Sequence, residues 1–452
     1  MSMPPGPRGL QTLGFLGRGS AGGVLAFLSD TARRYGPVAG FRMLGTHIYI
    51  VDDPVLIEEI LVRQQHRFVR DTGATLLREL VGDSLVTSEE PQHRIRRRML
   101  QPAFHRAQIA LYAVAMVAES ARLADALATQ PNVDIAAAMR RLTLAVVGSA
   151  LFGADLRASA DTVAAVLRRV GAKGAFIAPL VALGEPLLVA YRRRFPNGPS
   201  VLFGRERREL ARIIAPIVAQ RRNTGGRDVV SLLLAQRDER GAALNDDDIR
   251  NEVVTLVLAG HETTATALTW AWYLLAAHPD AAHKLQAELD AVLGDRDPTL
   301  DDVERLTYTA AVFSETLRLY PPAAAFGRRP LTEITLGGFT IPRGSSIFVS
   351  PYVTGRNARW FAEPEAFRPE RWFGAAPPKF AYFPFGGGAK LCIGEAFSKL
   401  EGVLVLATLA RRLLFTLVDE RAVAIAAGPL LRPDRPIVMR PEVRAAARPA
   451  QR

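Results

Sequence analysis

Cys392 is the only cysteine among 452 residues, and it sits in the stretch Phe385-Gly386-Gly387-Gly388-Ala389-Lys390-Leu391-Cys392-Ile393-Gly394. Glycines on both sides let backbone N–H groups approach the sulfur, as a ligating thiolate requires. An apolar helical pattern follows from about Glu395 to Leu417, so the positive end of a helix dipole should favour thiolate over thiol. One sulfur cannot build a zinc or iron–sulfur site, which needs several ligands at short spacing. A heme iron needs one protein ligand on its proximal side, and cysteine is an established choice there. The plain alternative is a buried structural thiol in a glycine-rich turn.

A second constellation is Ala259-Gly260-His261-Glu262-Thr263-Thr264, in the middle of a long apolar pattern. Small residues at Ala259 and Gly260 leave room for something flat against the helix. Gly and Thr side by side can loosen the i to i−4 ladder into a kink or bulge. Glu262 and Thr263 put a carboxyl and a hydroxyl where an apolar core helix should have neither. The alternative is a structurally paired Glu262 and a Thr263 bonded back to its own helix; His261 reads as a packing or surface residue with no ligand role. Further on, His93 and Arg97 stand four apart on a strongly basic helix start and share a face that suits one anionic group. Glu315 and Arg318, three apart, can pair along a helix.

On these residues the chain resembles the cytochrome P450 family. The family's heme-binding pattern falls on Phe385, Gly388, Cys392 and Gly394, and the resemblance implies heme b (iron protoporphyrin IX) with Cys392 as its axial ligand. It makes Ala259 and Gly260 part of an oxygen-binding groove, with Glu262 and Thr263 as the acid–alcohol pair that manages protons. It gives His93, Arg97 and Arg328 to the heme propionates. Lys390 stands where the family usually has Arg or His; it can meet a propionate but lacks the guanidinium fork. Glu315, Arg318 and Arg371, in Phe367-Arg368-Pro369-Glu370-Arg371-Trp372, match a buried structural network beneath the heme rather than catalytic groups. Ala323 to Phe326 should line the pocket, Arg329 should be exposed, and the apolar Phe176 to Tyr191 stretch should roof the pocket. The implied fold is mainly α, a multi-helix P450 domain over residues 1–440 with a small β-rich subdomain (α+β), followed by a basic, disordered tail at 441–452.

Composition is ordinary for a globular chain, 49% apolar and 23% charged. The length admits two domains or one large composite domain. A single cysteine excludes an intramolecular disulfide and fits a reducing cytosol. The net charge of +12 suggests nucleic acid, but the arginines are spread over many helices without a zinc-finger, RNP or basic-zipper pattern. An acidic protein partner explains the charge as well. The N-terminus shows no secretory signal, and its proline-rich hinge begins at Pro4, so the resemblance points to a soluble, cytoplasmic, monomeric member without a membrane anchor. Val253 to Ala277, the most membrane-like stretch, reads as a core helix because its Gly260–Thr264 centre would be costly in lipid.

Periodicity predicts helices over Val24–Tyr35, Pro54–Arg63, Ala107–Thr129, Met139–Phe152 and Ala158–Gly171. Gly73 to Ser88 has no clean period and reads as loop. Asn245-Asp246-Asp247-Asp248 supplies a cap and acidic first turn for a helix to about Ala277, roughly 48 Å long. Phe41–Val51 with a Gly45-Thr46 turn, and Leu331–Phe348, read as strands.

The implied activity is a monooxygenase that inserts one oxygen atom from O2 into a lipophilic small molecule, by hydroxylation or epoxidation in secondary metabolism. Electrons would come from a separate acidic ferredoxin or flavodoxin with its reductase, docking near Arg94, Arg96 and Lys399. The rivals are a peroxide-using or isomerising enzyme of the same fold, which needs no Glu262–Thr263 pair, and a non-enzymatic heme protein, which needs no substrate chamber.

Overall fold

Gly45, at φ 82°, turns an antiparallel hairpin of β1 (Val38–Met43) and β2 (Thr46–Val51) that follows the first helix, α1 (Ala21–Tyr35). A computed structural model describes residues 3–16, 21–43, 45–173, 194, 200, 202–226, 228–237, 241, 243–426, 428 and 430–444. Past the hairpin, Asp53 caps α2 (Pro54–Glu58), and the helix continues as a five-residue π segment over Glu59–Arg63. The strand β3 (Phe68–Arg70) then leads to α3 (Thr72–Val81), whose start is capped by Asp71. The loop expected over Gly73 to Ser88 is therefore helical in its first half. That segment has only ten residues and a glycine at its second position, which hid its period.

The helical body is built from α4 (Gln92–Leu100), α5 (Arg106–Leu127), α6 (Ile135–Phe152), α7 (160–173), α8 (Gly204–Thr224) and α9 (Val229–Ala235). It is completed by α10 (Asp246–Ala277), α11 (Pro279–Val292), α12 (Thr307–Leu319), the short α13 (Pro351–Thr354) and α14 (Glu395–Arg412). As the cap signal predicts, Asn245 accepts a hydrogen bond from the Asp248 N–H at 2.8 Å, and three aspartates meet the positive helix end. α10 is buried nearly all round and packs against α6, α12 and α14, as a helix without a polar face must. The expected kink does not appear: α10 is continuous α-helix through Gly260 and Thr264. Among the described residues one helix, Ile135–Phe152, is long and apolar enough to cross a membrane, and 72% of its window is buried in the protein.

Phe326–Pro330 (β5) and Ser346–Val349 (β8) join the hairpin and β3 in a five-stranded sheet of order β1-β2-β8-β5-β3. Only the β2–β8 pairing is parallel. Ile334–Leu336 (β6) and Phe339–Ile341 (β7) form a separate hairpin. The predicted helix after Cys392 ends at Arg412, because Leu413–Leu417 leaves it as β9 to pair with β10 (Val438–Val443), itself joined to β4 (Val133–Asp134). The tail expected to be disordered from residue 441 is ordered further. Pro441, Glu442 and Val443 pair with Phe415, Leu414 and Leu413, and Arg444 donates to the Asp290 carboxylate at 2.9 and 3.0 Å. The proposed roof, Phe176 to Tyr191, lies outside the described residues.

Candidate active site

The thiol of Cys392 opens into a cavity walled by α4, α10, α14, β5 and the glycine-rich loop. Its volume is about 320 Å³, at the low end of the roughly 300–1,000 Å³ of ordinary ligand pockets. Gly388 adopts φ 69°, and a Cβ there would lie 1.8 Å from the Leu61 carbonyl oxygen, so this turn accepts only glycine. The loop is fastened by the Cys392 N–H donating to the Phe385 carbonyl at 3.0 Å. Sγ is reached only from the cavity and is otherwise wrapped in protein. Burial therefore pushes the thiol pKa up, although the Gly394 N–H and Arg97 pull the other way. Burial thus works against the charged form that the helix end favours, and a cation held at the sulfur would favour it again.

Basic groups gather on one side of the cavity. His93, Arg97, Arg328 and Lys390 all line it, with Phe385 and Gly394. Arg97 donates to the Leu391 carbonyl and, at 3.1 Å, to Gln101. His93 is buried and its Nδ1 lies 3.2 Å from Glu90; burial and then Arg70 hold its pKa below the ordinary value, so it is neutral at pH 7. Lys390 pairs with Glu89, and burial brings its pKa to about 7.

The sequence reading missed Arg70. The β3–β5 register sets Arg70 opposite Arg328, and both line the cavity. Arg70 is held by Glu89, which accepts from its N–H at 2.8 Å, and by the Ser88 carbonyl. Burial and Arg328 bring its pKa down to about 9, and burial lowers Arg328 as well. Such crowding of buried like charges fits two incoming carboxylates. A three-residue strand carries no period to flag Arg70.

On α10, Ala259, Gly260, Thr263 and Thr264 face the cavity, but Glu262 does not line it. Glu262 is buried and its carboxylate pairs with Arg432 at 2.7 Å. Thr263 donates to the Ala259 carbonyl at 2.6 Å, which leaves its oxygen able to accept. Gly260 has a second duty: a Cβ there would press on Val147 of α6 at 3.1 Å. His261 is buried, with its pKa lowered by burial to about 4, and is a packing residue.

Glu315 is fully buried and shared. Arg318 donates to both its oxygens at 2.9 and 2.8 Å, Arg371 to one at 2.8 Å, and the Trp372 indole to the other at 3.1 Å. Arg318 also reaches the carbonyls of Gly355, Pro364 and Ala366, so one ion cluster ties α12 to the loops before the cysteine. Ala323 and Phe326 line the cavity as expected. Arg329 is half-buried in β5 rather than exposed. Arg96 is not on a docking face: it turns inward to Glu252 at 2.7 Å and Asp248 at 2.6 Å.

The family described as Cytochrome P450 matches residues 4–440. Cyclooctatin synthase of Streptomyces melanosporofaciens is 37% identical over 84% of this chain and 83% of its own. Cyclooctat-9-en-7-ol 5-monooxygenase of the same organism is 32% identical over 84% and 82%. Pentalenene oxygenase of Streptomyces avermitilis is 31% identical over 89% and 90%.

Proposed function

This chain belongs to the cytochrome P450 family, and from that premise we propose that it hydroxylates or epoxidises a lipophilic cyclic molecule of terpene type, drawing electrons from a separate acidic ferredoxin or flavodoxin. It is an oxidoreductase, a P450 monooxygenase, with heme b as cofactor. When bound, the heme activates O2 with two electrons so that one oxygen atom enters the substrate and the other leaves as water.

The residues present fit that group. Cys392 offers the one axial sulfur, and the basic side chains of Arg70, Arg97, Arg328 and Lys390, with the His93 imidazole, face the space where carboxylates would neutralise them. A lone thiol and a basic cluster in one cavity is the observation that carries the reading. Ala259 keeps the α10 wall low, and the Thr263 oxygen can accept a hydrogen bond from the cavity side. Glu262 brings a carboxyl to the same turn, held off the cavity by Arg432. The apolar groups Leu85, Val86, Leu256 and Phe326 line the rest, which supports a substrate recognised by shape and burial. The similarity to pentalenene oxygenase and to cyclooctat-9-en-7-ol 5-monooxygenase supports cyclic hydrocarbons and their alcohols as the first class to try.

The test has two steps. Heme-supplemented protein should give the reduced carbonyl spectrum of thiolate-ligated iron, and cyclic hydrocarbons should shift its resting band and yield an oxygenated product with a surrogate ferredoxin. A colourless protein, or an imidazole-type carbonyl spectrum, would remove the proposal.

A further inference from the structure

The outer face of α5 carries no charge between its ends. From Arg106 to Arg122 the one carboxyl is that of Glu119, which is buried. The side chains that this stretch exposes are Ala107, Leu111 and Val114, with Leu111 66% and Val114 74% exposed. The inner face, with Ile109, Tyr112 and Met116, packs against α6 and α14. A helix that is apolar all round belongs in a core or under a partner. α8, of similar length, shows the ordinary pattern of a surface helix, with Arg205, Arg208, Arg212 and Arg222 on its outside.

The spacing on that face identifies what fits it. Ala107, Leu111, Val114, Ala118, Ala121 and Asp125 follow at alternating steps of four and three, the seam of a helix lying along another helix. The seam has the same spacing from either end. A second α5 running the opposite way therefore sets Leu111 opposite Ala121 and Val114 opposite Ala118. Each large exposed side chain then meets a small, half-buried one, and the two surfaces interlock. The ends are complementary as well. Arg106, 98% exposed and 3.9 Å from an equally free Glu304, comes beside the second copy's Asp125. That carboxylate is 73% exposed even with Arg412 donating to it, so it has room for another donor. We propose that this chain self-associates through α5 as an antiparallel, twofold-symmetric dimer. Every contact occurs twice about the axis, and the N-terminal end of each helix dipole lies at the C-terminal end of the other. The paired helices are roughly 33 Å long, which puts the interface at the small end of specific ones. The dimer therefore dissociates in the micromolar range. The monomer that the family resemblance implies would leave this face in water.

Sedimentation of the heme-loaded protein from about 1 to 200 µM should show a reversible monomer–dimer equilibrium. Leu111→Asp and Val114→Asp each place a charge in the seam and should weaken the dimer about tenfold or more. Both positions are exposed in the monomer, so the reduced carbonyl spectrum should not change. Arg106→Asp should weaken the dimer about threefold, and Arg106→Asp with Asp125→Arg should restore it. A protein that stays monomeric across the range overturns the proposal, and so does a dimer indifferent to Leu111→Asp. Failure of the double reversal to recover what Arg106→Asp loses overturns the antiparallel order. Should the protein remain monomeric and instead co-sediment with phosphatidylcholine vesicles, with Leu111→Asp abolishing that binding, the face belongs to a lipid surface and the proposal fails.

Discussion

Glu262 and Thr263 are consecutive on α10 yet serve different surroundings: Thr263 lines the cavity, while the Glu262 carboxylate is bound to Arg432 at 2.7 Å. In a helix, neighbouring residues point about 100° apart, so a paired acid and alcohol cannot face one cavity in the same way. Removing Arg432 should therefore leave a buried acid without its counter-charge. Arg432→Met is expected to lower stability by about 3 kcal/mol, while Arg432→Met with Glu262→Gln recovers most of the loss. Denaturant titration of the single and double variants checks this; additive losses would show that the two are not coupled.

Thr263 donates its proton to Ala259 at 2.6 Å, so it meets the cavity as an acceptor. Thr263→Ala should leave substrate binding and the carbonyl spectrum intact but uncouple turnover. The fraction of O2 appearing as product is expected to fall about tenfold, with matching peroxide release. Thr263→Ser should restore most of the coupling. Equal coupling in all three proteins would rule out a proton role.

The fold was readable where local chemistry is strong. Asn245 and three aspartates mark the start of α10, and Gly45 marks the first hairpin turn. Cys392 and its glycines, the His93–Arg97 spacing and the Glu315–Arg318 spacing pointed to residues that the structure does bring to one cavity or one ion cluster. The end of α14 was not readable, since Leu413–Leu417 is apolar in either period and its strand partner lies at Val438–Val443. Arg70 meets Arg328 only through sheet register between distant segments. Arg96 was expected on a partner-docking face, but α10 supplies Glu252 and Asp248 to it across more than a hundred residues. Glu401, buried in α14, did leave a signal, a lone acid before the apolar run from Gly402 to Ala410, but its Thr264 neighbour comes from another helix.

The Glu315 cluster should matter to stability before it matters to chemistry. Arg318 has no solvent exposure in its side chain and neutralises a carboxylate that has none either. Arg318→Ala would leave that buried carboxylate with Arg371 alone as its counter-charge, at a cost of about 3 kcal/mol. Arg371→Ala, which removes a slightly more exposed side chain from the same carboxylate, should cost less. The check is thermal unfolding and heme retention of the two variants; a fully stable, heme-loaded Arg318→Ala protein would contradict the assignment.

Arg94 is exposed at the start of α4 and Lys399 on α14 is half exposed, whereas Arg96 is committed inward. If an acidic partner docks there, raising salt from about 0.05 to 0.5 M should slow reduction by the partner, since surface attraction is screened within about 10 Å at 0.1 M. Arg94→Glu and Lys399→Glu should slow it further at low salt and not at high salt. Arg96→Glu should instead reduce stability. Reduction rates indifferent to salt would place the docking surface elsewhere.

Glu401 is fully buried in α14, and because burial raises its pKa to about 8 it makes a stability prediction that requires no turnover. An unfolded glutamate loses its proton near the ordinary value of 4.5, and the folded one near 8. Between these values the folded chain holds more protons than the unfolded chain, so this residue's contribution to stability falls as pH rises and levels off above about 8. Each unit of difference corresponds to about 1.4 kcal/mol, enough for an effect of a few kcal/mol across the window. Glu401→Gln removes the titration. Urea unfolding at pH 5 and pH 8 should therefore show the variant gaining stability relative to the wild type at the higher pH. A difference between the two proteins that is constant across that range would mean that Glu401 ionises in place, with a counter-charge drawn from its surroundings.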